Sequence, residues 1–181
     1  MALWNCTLDD FRRQLATRES VPAGVSLAAI SASLALSLLI KVLEITRNRR
    51  TFQGDPKKIE ALLTAAQTES TKLADLADQD VAAYAEYIAN RKSQEALNKA
   101  IEVPLAAARA AAAGLQLCTD AAEFAPESLK PDLGTAALLL SAAIRGILFS
   151  VQANASMLSN AEQVHLEANE LEVLAKNHQR W

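Results

Sequence analysis

The sequence predicts an all-α protein built of long helices. Three observations carry this. Hydrophobic residues make up 51% of the 181 residues but aromatics only 4%, and the apolar majority is Ala and Leu, which favour helix over strand. Apolar residues recur with the helical period in the long segments. Most of those segments also open on a helix-capping signal. The length is that of one ordinary domain with a real core, spanning 1–181. A core rich in Ala lets helices approach closely but buries little area per residue, so a second subunit is expected to supply further burial.

The elements follow in order. Thr7 caps a short first helix with the acidic first turn Asp9-Asp10, running to about residue 18. Val21-Pro22-Ala23-Gly24-Val25-Ser26 reads as a turn, and a second helix continues to about residue 46. Asp55 caps a third helix with Pro56 at its first position, where the missing N–H costs nothing. That helix runs to about residue 90, with the stripe Ile59, Leu62, Leu63, Ala66, Leu73, Leu76, Ala77, Val81, Tyr84 and Ile88. Ser93 opens a fourth helix to about residue 122, which Pro104 should kink. Asp132 is expected to cap a fifth over 132–158, and Asn160-Ala161-Glu162-Gln163 a sixth.

A net charge of −3, without a broad basic excess, argues against nucleic acid. The local exception is Arg47, Arg49, Arg50, Lys57 and Lys58 around one loop, either a solvated loop or a landing point for an anionic substrate tail. Cys6 and Cys118 are the only cysteines and form no CxxC, so neither zinc nor a disulfide framework is expected, which fits a reducing, cytoplasmic setting. His165 and His178 lack metal-ligand spacing and read as surface positions; no metal site is predicted. Residues 21–40 carry no charge over the length of a bilayer span, yet Pro22, Gly24, Ser26, Ser31, Ser33 and Ser37 stud them. A buried helix of a soluble protein, without a membrane, is the reading adopted.

Polar residues on apolar stripes mark candidate chemistry. Asp80 lies one turn from Leu76, Ala77 and Tyr84 on the inward face of the third helix. A charge there loses hydration, so its pKa should rise, which suits acid–base work. The alternative is a boundary position reaching water or capping a neighbouring helix. Asn154 continues the stripe Ala137, Leu140, Ile144, Val151, and offers a donor and an acceptor either to a ligand or to an interhelix hydrogen bond. Ser33, Ser37, Lys41 and Glu44 form a polar line on the second helix, with Lys41–Glu44 readable as a solvent-side pair.

Several strings stand in order along the chain: Thr7-Leu8-Asp9-Asp10-Phe11, the turn Val21 to Ser26, Leu76 to Tyr84 with Asp80 four residues before an aromatic, Glu102-Val103-Pro104-Leu105, Pro131-Asp132-Leu133-Gly134, and Val151-Gln152-Ala153-Asn154. Together they resemble the cyclodeaminase/cyclohydrolase family. Ala23 and Val25 stand where the family turn has glycine, Pro131 replaces a serine, and Lys41 occupies a usually apolar place. The resemblance implies an all-α antiparallel helical bundle that forms a homodimer, with a folate cleft and no cofactor beyond the tetrahydrofolate substrate. The implied reactions are hydrolysis of 5,10-methenyltetrahydrofolate or cyclodeamination of 5-formiminotetrahydrofolate, and a chain without a formiminotransferase domain favours the hydrolysis. It implies Asp80 and Asp132 as catalytic, with Gly24, Ser26, Lys41 and Asn154 binding substrate. The alternative is a non-catalytic helical dimer that kept the fold and lost the glycine turn.

Overall fold

The computed structural model describes residues 2–90 and 93–177, and no strand occurs among them. Six α-helices follow one another: α1 (Leu8–Leu15), α2 (Gly24–Arg47), α3 (Pro56–Ala89), α4 (Gln94–Ala121), α5 (Lys130–Ala155) and α6 (Glu162–Asn177), with single 3-10 turns at Leu3–Asn5 and Glu127–Leu129. Three sequence-predicted caps form. Thr7 accepts from the Asp10 N–H, Asp55 from Lys57 with Pro56 in the first turn, and Ser93 from Ala96, each satisfying a donor that a helix start otherwise leaves open.

Other boundaries differ from expectation. α2 begins at Gly24, so Gly24, Val25 and Ser26 form its first turn rather than a preceding loop. α5 begins at Lys130, directly after the 3-10 turn, so Asp132 is a first-turn acid and not the N-cap; Leu129 holds that position and caps nothing with its side chain. The chain is already helical when it reaches Asp132. α1 and α5 stop early, at Leu15 and Ala155, and α6 starts at Glu162.

The four long helices close into a ring: α2 packs on α3 and α5, and α4 packs on α3 and α5, with short loops joining sequential, antiparallel neighbours. Gly114 of α4 faces α2 and α5 at close range. A Cβ there would sit 2.9 Å from Leu36 Cδ2 of α2 and 3.2 Å from Leu140 Cδ2 of α5, so the absence of a side chain sets how closely these helices meet. The buried alanines Ala107, Ala108, Ala110 and Ala111 continue this tight face along α4. α6 lies against α5 and α4, clamped by Arg109, which donates to Glu167 of α6 and, at 2.6 Å, to Glu102. Between α2 and α3, the hydroxyls of Ser33 and Ser70 each reach the other residue's carbonyl, at 3.0 and 3.2 Å.

By length and composition alone, α2, α4 and the segment Glu127–Ala155 are each apolar enough to cross a membrane. In the bundle, roughly half or more of each such stretch is buried against the others, at 56%, 61% and 50%. What stays exposed is ordered. Leu27, Leu34 and Ile45 of α2 and Leu138 and Phe149 of α5 remain outside the core, at spacings that put each set on one helical stripe, and α2 and α5 are neighbours. Lys41 is exposed on the α2 stripe. Its expected pairing with Glu44 does not form, because Arg47 takes Glu44 at 2.6 Å and Glu60 at 2.7 Å. His165 is exposed, and His178 lies outside the described residues.

Candidate functional site

All four long helices converge on a cavity of about 240 Å³ at one end of the bundle. α2 contributes its first turn at Gly24 and Val25, α3 contributes Asp80 and Tyr84, α4 Ala100 and Pro104, and α5 Ser150, Ala153 and Asn154. The segment Ser20–Ala23 forms the remaining edge, entering α2 through a cis Val21–Pro22 bond.

The first turn of α2 sets the character of this wall. Ala23 is the N-cap in an extended conformation and provides no side-chain cap, so the leading amides depend on other partners. No glycine in the described chain has positive φ. Gly24 is therefore not needed for an unusual backbone angle; a Cβ on it would meet nothing within 4 Å, and its absence widens the cavity. Val25 is buried, 5% exposed, and lines the cavity as well, so it both packs into the core and takes up space at the cavity wall.

Asp80 is the chemical centre. It is 7% exposed, in the C-terminal third of α3, and its Oδ2 accepts the Ser26 hydroxyl at 2.7 Å. Burial pushes its carboxyl above the ordinary carboxylate range, while the Ser26 hydroxyl and the Ser26 backbone N–H pull it back toward ionisation. The two sequence-level readings thus coincide in one side chain: Asp80 ties down the start of α2, at the positive end of that helix, and it lines the cavity. Across the site Asn154 donates from Nδ2 to the Ala100 carbonyl at 2.9 Å, the interhelix bond that the sequence left as an alternative.

Not every sequence-predicted residue gathers here. Gly24, Ser26, Asp80 and Asn154 do. Asp132 stands at the opposite end of α5, about 33 Å from Asn154 at ~1.5 Å per residue, and Lys41 is about 25 Å up α2 from Gly24. Asp80 and Asp132 therefore do not form one centre within a single chain. The basic loop is also remote, at the far end of α2, beside a wider opening of about 400 Å³ that contains Arg49, Phe52 and Phe124. That opening holds no buried ionisable group, whereas the smaller cavity does, so the smaller one is the chemical candidate. Cys118 is fully buried and its thiol is pushed up to about 12 by desolvation, which removes it as a nucleophile. Tyr84, Pro104 and Ser150 also line the cavity; the sequence marks Tyr84 as one turn from Asp80 and Pro104 as a helix kink but names neither as a site residue, and it gives no signal for Ser150.

A ring of four antiparallel helices with one buried, hydrogen-bonded carboxylate at its end defines a helical-bundle protein with a small-molecule cavity. The formiminotransferase-cyclodeaminase family model matches residues 7–172, and the chain belongs to that family. The formimidoyltransferase-cyclodeaminase of Sus scrofa is 28% identical over 162 residues, covering 81% of this chain and 30% of that protein. The Rattus norvegicus protein of the same name is 27% identical over 168 residues, covering 84% and 31%. The chain thus spans less than a third of the length of these relatives. A crystal structure of formiminotetrahydrofolate cyclodeaminase from Thermotoga maritima superposes with a TM-score of 0.91, over 98% of this chain and 93% of that one at 24% identity, which establishes the shared fold.

Proposed function

We propose that this chain is a folate one-carbon enzyme that hydrolyses 5,10-methenyltetrahydrofolate to 10-formyltetrahydrofolate, or cyclises 5-formiminotetrahydrofolate with loss of ammonia. The observation that carries this reading is Asp80: a buried carboxylate, held by Ser26, opening onto a cavity in a chain of this family. In the hydrolysis, water adds to the cationic methenyl carbon and Asp80 takes its proton. As the adduct's hydroxyl gives its remaining proton to solvent and becomes the carbonyl, the carbon–N5 bond breaks, N5 takes the proton back from Asp80, and the formyl group stays on N10. No oxidation state changes, so the step calls for no redox cofactor. A carboxylate near the amidinium carbon favours the cation by charge, and its raised pKa makes it a better base than an exposed aspartate. The cavity is below the ~300 Å³ of common ligand pockets, so it suits the ring bearing the one-carbon group while the remainder of the folate lies outside.

The same proposal includes a homodimer through the exposed apolar stripes of α2 and α5. An isologous pairing that reverses the helix direction brings the Lys41 and Asp132 end of one protomer toward the cavity end of its partner, which gives both residues a place in the binding machinery. Turnover of 5,10-methenyltetrahydrofolate, followed by loss of its ultraviolet absorbance, tests the activity. Val25 in the cavity wall, where the family turn has glycine, favours the second reading, a non-catalytic dimer of the same fold, and absence of both turnover and tetrahydrofolate binding would select it.

A further inference from the structure

Pro104 lies inside α4, and a proline removes the N–H that would bond the carbonyl four residues earlier. That carbonyl is Ala100's, and Ala100, Pro104 and Asn154 all line the cavity. The Asn154 Nδ2 occupies the vacancy, donating to the Ala100 oxygen at 2.9 Å. A carbonyl oxygen only accepts, so the amide nitrogen must be the atom turned to α4. The Asn154 Oδ1 is then the remaining polar atom of this side chain, and it makes no hydrogen bond among the described residues. The second acceptor of the site is Asp80 on the facing wall.

We propose that Pro104 is a positioning residue: by freeing the Ala100 carbonyl it fixes the Asn154 amide with its oxygen available, so that the cavity selects heterocycles presenting an N–H donor. This rests on the cavity being the substrate site, and it adds a determinant of which ring edge that site reads. In Pro104→Ala the restored N–H competes for the Ala100 carbonyl. The Asn154 amide loses its anchor and turns between two orientations, one of which presents NH₂ to the ligand donor. Asn154→Ala removes the acceptor outright, so adding Pro104→Ala to it has nothing left to disturb.

The experiment has two arms, both on the full chain. Nuclear magnetic resonance of the Asn154 side-chain amide, without ligand, compares native protein and Pro104→Ala. The expected result is one narrow, exchange-protected pair of amide signals in the native protein and loss of that protection in the variant. Equal protection in both overturns the proposal, whatever the protein's function. The second arm titrates native, Pro104→Ala, Asn154→Ala and the double variant with tetrahydrofolate by calorimetry. Asn154→Ala should weaken binding about tenfold, the size of one hydrogen bond, Pro104→Ala about twofold, because an amide shared between two orientations keeps about half of its binding-competent form, and the double variant should match Asn154→Ala alone. Independent, multiplying losses overturn the relay. Absence of binding by the native protein overturns the folate reading and the ligand assignment together, while the amide arm still decides whether Pro104 sets Asn154.

Discussion

The Ser26 hydroxyl donates to Asp80 Oδ2 at 2.7 Å, joining residues 54 positions apart in the sequence. A donor to a carboxylate favours its charged form, and burial opposes it. Removing the donor in Ser26→Ala should therefore raise the Asp80 pKa further. If ionised Asp80 is the base, the acidic limb of the rate profile moves to higher pH in this variant. A carboxyl titration by carbon-13 resonance, alongside the pH–rate curve, measures both.

Asp80→Asn should preserve the fold and reduce turnover of methenyltetrahydrofolate by roughly a hundredfold or more, the usual scale for one acid–base group. The stability effect has a definite sign. A carboxyl with a raised folded pKa contributes stability that is complete below the ordinary value near ~4 and is lost as pH rises through the folded value. Asparagine does not titrate, so between those two values the variant's melting temperature should depend less on pH than the native protein's. Unchanged turnover per folded molecule would make Asp80 a cap for α2 and nothing more.

Ala23→Gly combined with Val25→Gly should enlarge the cavity and tighten tetrahydrofolate binding. Neither position has positive φ, so the glycines bring no backbone relief. They cost about 0.5–1 kcal/mol each in added freedom of the unfolded chain, and the buried Val25 side chain is lost besides. Calorimetric titration together with thermal melts separates the two effects, and unimproved affinity would show that Val25 does not obstruct the ligand.

Leu34→Glu and Phe149→Glu each place a charge on the exposed apolar stripes of α2 and α5. If those stripes join two copies, either change should yield monomers by sedimentation at micromolar concentration, and turnover should fall with the dimer. A native protein that sediments as a monomer, or that needs detergent to remain in solution, would count against this pairing.

Gly114→Ala tests the diagonal of the bundle. Its methyl would approach Leu36 Cδ2 to 2.9 Å, in a core with little room to yield. A loss on the order of 1–3 kcal/mol is expected, the usual range for overpacking, read as a lower denaturation midpoint.

Much of this architecture was legible in the residues. Thr7, Asp55 and Ser93 cap as their identities suggest, and Asp80 and Asn154 stood out as polar breaks in apolar stripes. The Asp132 position was misread because a first-turn acid and an N-cap acid look alike until it is known whether the preceding residues are already helical. Lys41 and Glu44 have the right spacing to pair, but Arg47 competes for the same carboxylate and reaches Glu60 as well. The relation of Pro104 to Asn154 was out of reach for a different reason. Periodicity orders residues along one helix, whereas this contact depends on which helices face each other and at what height.

The four walls of the cavity come from residues near 24, 80, 104 and 154, widely separated along the chain. Synthesis delivers them one after another, and the wall carrying Asn154 arrives last. Until it docks, the cavity lacks one of its walls. A site assembled this way exists only once the last long helix is in place, so its appearance reports when the bundle has closed.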